Sequence, residues 1–235
     1  MPRKFELDKN YYEEDVEFFK KDNITINDGI TVLVGCNGYG KSTLYHNIKH
    51  QLKENNIPCA SFDNLTNGGH NMFSELAGNG DFSTLSNMLG SSEGENISNS
   101  IGYFLTPLRE FIKTGVYREQ GKFSKLAAIF DDKIEKRNKL LSESSERWIL
   151  FDAIDSGYSI DNIIDFKSLL NLIIEDGKNL DKDIYIVMTA NSFELAYKEN
   201  CLDVCAGEYI KFDNYNDYKD FVLKTRDIKN KRYEE

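Results

Sequence analysis

Nine consecutive residues, Gly35-Cys36-Asn37-Gly38-Tyr39-Gly40-Lys41-Ser42-Thr43, have the types and spacing that hold a triphosphate. They fit G-x-x-x-x-G-K-[ST] and directly follow the apolar run Ile30-Thr31-Val32-Leu33-Val34. Glycines at 35, 38 and 40 let the backbone curl so that successive N–H groups face phosphate oxygens. A helix predicted from about Lys41 to Leu52 adds its positive dipole end. Lys41 would reach the β- and γ-phosphates, and the Ser42 hydroxyl would hold Mg²⁺. The nucleotide-binding candidates are Gly35, Asn37, Gly38, Tyr39, Gly40, Lys41, Ser42 and Thr43. A second acidic candidate closes the apolar run Trp148-Ile149-Leu150-Phe151-Asp152, the form a magnesium-coordinating strand takes beside such a loop, which makes Asp152 a metal candidate.

These groups need a scaffold, and 235 residues with 40% hydrophobic content suffice for one large α/β domain with its own core. Ile24-Thr25-Ile26 alternates as a strand, and Val16-Glu17-Phe18-Phe19 reads as another, so a small antiparallel layer is expected ahead of the loop strand. Buried strands are predicted over 57–62, 148–152 and 183–189, with helices over 161–176 and 191–198 between or after them. This alternation implies a mainly parallel sheet. Residues 209–235 add a short strand and a charged helix. Ser91 to Asn96 opens an amphipathic stretch with Ile97, Ile101, Phe104, Leu105 and Leu108 on one side. From 106 to 146 the pattern is helical and densely charged with a break at Gly121, so residues 91–146 read as a helical subdomain inserted in a single domain spanning 1–235.

Composition narrows the function. With 29 Lys+Arg against 39 Asp+Glu the formal charge is −10, which excludes a surface that coats nucleic acid. Local basic clusters at Lys133–Lys139 and Lys224–Arg232 remain the only candidates for contact with DNA phosphates. Cys36, Cys59, Cys201 and Cys205 are too scattered for a disulfide framework; Cys201 and Cys205 are spaced to share a helix face, without a matching Cys or His pair downstream for zinc. No signal-like segment and no apolar run of spanning length occur, and the expectation is a soluble cytoplasmic protein.

The residues around the two anchors resemble one class of phosphate-loop protein. Gly35-x-Asn37-Gly38-x-Gly40-Lys41-Ser42-Thr43 resembles the loop of ABC-type ATPases, especially the SMC and RecF-like branch and related small ATPases of phages and mobile elements. Ser92-Glu93-Gly94-Glu95 resembles that family's signature motif, and Asp152 to Asp161 resembles its D-E-P-x-S-G-L-D run. The resemblance implies a homodimer closed by ATP and Mg²⁺, each nucleotide held by the phosphate loop of one copy and by Ser92, Gly94 and Glu95 of the other. Asp161 would lie on the twofold interface. ATP hydrolysis, slow and driving a nucleotide-controlled module in DNA metabolism or phage–host conflict, is the implied activity. Three departures bear on catalysis. The Glu that normally follows the strand-ending Asp is Ala153, so Asp155 is the substitute candidate. The switch histidine is replaced by Ala190 or Asn191, where Asn191 is either a polar catalytic group or the cap of a helix beginning at Ser192. The family's glutamine is absent, leaving Asp63 or Asn64 to face the metal. Tyr11, Tyr12 and Phe19 are the aromatic candidates for adenine. A non-hydrolysing ATP-dependent scaffold, with a protein partner on the region 103–146, and a transporter's nucleotide-binding subunit are the alternatives.

Overall fold

Period-two alternation assigns the side chains of each central strand to two different cores. In the computed structural model of the chain, residues 2–7, 19–63, 108–117, 132–155 and 159–231 are described. Strand β3 (Gly29–Val34) sends Ile30, Val32 and Val34 to one face and Leu33 to the other. Strands β5 (Glu146–Asp152) and β6 (Asp183–Thr189) divide their residues the same way. All three are buried after their first residue, as strands of a parallel sheet covered on both faces must be.

The sheet has the order β4-β5-β6-β3-β7-β8, where β4 is Cys59–Asp63, β7 is Asn200–Asp203 and β8 is Glu208–Ile210. Every pairing is parallel except β7 with β8. The expected α/β architecture with a mainly parallel sheet is what the chain forms. The antiparallel layer is also present. Strand β2 (Asn23–Ile26) pairs with β1 (Arg3–Glu6), Phe5 opposite Ile24, while residues 16–18 of the other expected strand lie outside the described residues. Phe19 lies outside any strand, buried in the same core as Phe5 and Ile24, and is therefore not available to stack on adenine.

Helix α1 (Lys41–Glu54) covers one face of the sheet with Leu44, Tyr45, Ile48 and Leu52, residues at helical spacing. The other face is covered by α2 (residues 108–114) and by α4 (Ile160–Asn179), whose buried residues Ile163, Phe166, Leu170 and Ile173 also recur every three or four positions. Helix α3 (Asp132–Glu143) leads into β5. Helix α2 ends at Gly115, with φ +71°, and the break expected at Gly121 lies outside the described residues. A Cβ on Gly115 would collide with the Leu141 carbonyl, so glycine is required where α2 ends against α3. The helix expected over 191–198 shrinks to the single turn α5 (Phe193–Ala196), because the chain turns directly into β7. Cys201 lies in that strand and Cys205 beyond it, both buried and neither in a disulfide, so they do not share a helix face. The chain closes with α6 (Tyr215–Lys231). Among the described residues no helix is long and apolar enough to cross a membrane.

Candidate functional site

The C-terminal ends of β3, β5 and β6 are neighbours, with β6 between the other two, so three different loops leave the sheet side by side. The loop after β3 runs through Gly35 (φ +150°) and Gly38 (φ +76°), conformations that L side chains rarely adopt. A Cβ on Gly35 would strike the Tyr39 ring, which is itself 1% exposed. Tyr39 therefore contributes a core side chain, and only its backbone belongs to the loop surface. Helix α1 starts at Lys41 behind a left-handed Gly40 that offers no side-chain cap, so the N–H groups of its first turn keep their capacity for an anion.

Lys41 is buried, and its ammonium donates to the carbonyls of Gly35 (2.8 Å) and Cys36 (3.2 Å). Burial pulls its pKa below the ordinary lysine value, opposed by the nearby acidic groups of Asp155 and Asp152 among others. An ammonium held by two neutral carbonyls in a dry site is poised to exchange them for a charged phosphate. Ser42 donates to Asp152 Oδ1 at 3.2 Å, which brings together the two metal candidates of greatest sequence specificity. Thr189, the last residue of β6, donates to the same oxygen at 2.8 Å and accepts the Ala153 N–H at 2.8 Å. A hydroxyl and a carboxylate from two elements form a hard oxygen pair, the set Mg²⁺ takes when phosphates and waters complete its octahedron. Among the described residues no group of three or more His, Cys, Asp or Glu could hold a metal without such help. Asp63 ends β4 in register with Asp152, so its backbone reaches the same edge of the site.

Asp155 has a definite task. Its Oδ2 accepts the backbone N–H groups of Asn191 (2.6 Å) and Ser192 (2.7 Å), and its Oδ1 accepts the Asn191 side-chain amide at 3.3 Å. The carboxylate thus ties the turn after β5 to the turn after β6. The cap position of α5 is Ser192, not Asn191, and no side chain fills it; Asp155 satisfies those donors from across the sheet instead. Ala153, where a proton acceptor was sought, sits in the left-handed region at φ +51°. Asp161 is exposed in the first turn of α4, its carboxyl held below the ordinary range chiefly by a hydrogen bond from Ser159.

Two contacts were not legible in the sequence. Thr225 Oγ1, on α6, accepts the Cys36 N–H at 3.0 Å, and Lys229 donates to the Asn37 carbonyl at 3.1 Å. The last helix of the chain thereby backs the phosphate loop. Only the basic cluster at 224–232 hinted at it, and that was read as a candidate for DNA contact. Ser92, Gly94, Glu95, Asn64, Tyr11 and Tyr12 lie outside the described residues.

No protein-family profile matches the chain, and no curated protein does. Among solved structures, the chain is similar to a nucleotide-free ATP-binding cassette from an ABC transporter, with 17% identity, coverage of 95% of this chain and 96% of that one, and a TM-score of 0.46. It is also similar to Stu0660 of Streptococcus thermophilus, with 11% identity, coverage of 91% and 77%, and a TM-score of 0.38.

Proposed function

We propose that the chain binds ATP with Mg²⁺ at the ends of β3, β5 and β6 and acts as an ABC-type ATPase of low turnover. The observation that supports this most is the convergence of Lys41, Ser42, Asp152 and Asn191 from three separate loops on one side of the sheet. In this reading Lys41 leaves the Gly35 and Cys36 carbonyls and binds the β- and γ-phosphates, while the first-turn N–H groups of α1 receive the remaining oxygens. Ser42 and Asp152 hold Mg²⁺, which supplies positive charge against the phosphates. Thr189 fixes the Asp152 carboxylate, and Asn191 offers its amide to the γ-phosphate side.

Turnover is low because the usual proton acceptor is missing. Ala153 cannot serve, and Asp155 spends both oxygens on three N–H donors of the neighbouring turn. Three donors on a carboxylate with about four lone-pair sites leave it little capacity for a water. This engagement favours, as the second reading, a scaffold that closes on ATP without hydrolysing it.

The single-domain arrangement, with 91–146 as a subdomain, and the pairing of two copies through Ser92, Gly94 and Glu95 belong to this proposal and are carried by the motif resemblance. So are a cytoplasmic location and a role in DNA metabolism or phage–host conflict. Phosphate release and light scattering test it together. An ATP-dependent rise from monomer to dimer mass, lost in Ser92→Arg, with slow Mg²⁺-dependent phosphate release lost in Lys41→Ala, supports the ATPase. A dimer without release supports the scaffold. A monomer at saturating ATP refutes the paired arrangement.

A further inference from the structure

A second concavity lies beside β4, the edge strand of the sheet among the described residues, away from the loop at 35–43. It has a volume of about 310 Å³ and is lined by α1, the edge strand β4, the end of α2 and α3. Three cations border it: Lys49 and Lys53 from α1, and Arg137 from α3. Among the described residues lining it there is no carboxylate, and none of the three cations has an ion-pair partner among the described residues. In a chain of formal charge −10, such a grouping is not the outcome of an average surface.

The two lysines are four residues apart on one helix face, where like charges repel. Lys53 alone is accounted for by its place in the last turn of α1, against the negative end of the helix dipole. Lys49 is half-buried with its ammonium over the Tyr45 ring, 5.9 Å from the centroid, and exposed Arg137 borders the same space from a different helix. The floor is apolar, with Ile57, Pro58 and Leu141, and Tyr117 forms one wall. The Tyr117 ring is fixed edge-on to Phe62 at 5.2 Å. Ser61 and Asn138 add neutral hydrogen-bonding groups.

We propose that this cavity binds a small phosphate monoester, with the phosphate among Lys49, Lys53 and Arg137 and an organic body over the Tyr117 side. The volume is at the lower end of the ~300–1,000 Å³ of ligand pockets, which suits a molecule of mononucleotide size or smaller. Arginine and lysine together fit a dianionic phosphate, the first through its fork and the second as a point charge. The site is separate from the phosphate loop, because Lys49 and Lys53 stand about 12–18 Å along α1 from Lys41. It does not depend on the nucleotide reading given above.

Calorimetric titration of the full chain carrying Lys41→Ala, which silences the loop, decides the matter. The probes are AMP, ribose 5-phosphate, adenosine and a 5′-phosphorylated oligonucleotide. One equivalent of AMP or ribose 5-phosphate should bind, about tenfold more weakly or worse once Lys53→Gln and Arg137→Gln are added, and more weakly as salt rises. Adenosine should not bind. An unchanged urea midpoint in the added variants shows that the fold is intact, and Lys49→Gln gives an independent third variant should one of them unfold. No binding of either monoester, binding indifferent to the Gln substitutions, equal binding of adenosine, or binding of the oligonucleotide alone would each overturn the proposal.

Discussion

Strand β5 carries opposite charges at its two ends, and the protein treats them differently. At the N-terminal end Arg147 is fully buried, and its guanidinium donates to the carbonyls of Ile112, Ser144 and Glu146 at 2.8 Å and of Lys113 and Ser142 at 3.4 Å. All but the Glu146 carbonyl, which belongs to β5 itself, are at or just past the ends of α2 and α3, so one cation caps two helices and pins both to the sheet. At the C-terminal end Asp152 and Asp155 accept hydroxyl and N–H donors that come mainly from loops. The first cluster is closed, its donors spent on backbone carbonyls, two of which Lys182 also reaches. The second keeps an ammonium and a hydroxyl that a phosphate or a metal ion can take over. One strand therefore has a structural end and an exchangeable end.

Breaking the closed end should have the largest effect. Arg147→Met leaves several buried carbonyls without donors and should cost about 3 kcal/mol or more, read as a lower urea midpoint. Arg147→Lys should recover only part, since an ammonium lacks the planar fork. A loss under about 1 kcal/mol would show that the carbonyls find other partners.

At the exchangeable end, Asp155→Ala should cost about 1.5–3 kcal/mol, the worth of hydrogen bonds to a charged group. Asp155→Asn should recover some of this, because an amide oxygen still accepts one N–H. If Asp155→Asn keeps full stability and loses phosphate release altogether, Asp155 is a reacting group and not a strut.

These expectations indicate what could be read in advance. The glycine turn followed by a helix at Lys41 and the three central strands were legible because each is a local pattern: a fixed spacing, or an apolar run of strand length. β6 was placed residue for residue, since Asp183 to Thr189 is apolar within and polar at its ends. The Arg147 cage was not legible, because its acceptors lie as far as 35 residues away in sequence. The tie from Asp155 to Asn191 spans 36 residues, and that from Thr225 to Cys36 spans 189. No window of sequence contains such pairs. β1 was missed as the partner of β2 for the same reason: the strand nearer in sequence was the natural choice, and register is set by burial of Phe5 against Trp148.

Two smaller effects sharpen the contrast. Lys229→Met removes the ammonium from the Asn37 carbonyl and should weaken ATP binding about two- to fivefold with little change in stability, as an exposed contact near a charged ligand allows. A larger fall would place Lys229 on the phosphates themselves. Lys182 donates to the Ser144 carbonyl at 2.9 Å beside Arg147, and its pKa is lowered by burial first and by the Arg147 charge second. A lysine lowered in the fold adds stability as pH rises toward 10.5, the window in which the unfolded chain holds the extra proton. In Arg147→Met the Lys182 titration, followed by NMR, should move upward.

The most direct measurement is the affinity for ATP, with and without Mg²⁺, of the wild-type chain and of Lys41→Ala. We expect binding that strengthens with Mg²⁺ and falls about a hundredfold in the variant, some 2.7 kcal/mol for one charge-assisted contact in a dry site. Equal affinity in the two proteins, or none in the wild type, would contradict the assignment of the loop and its partners on β5 and β6 to a triphosphate.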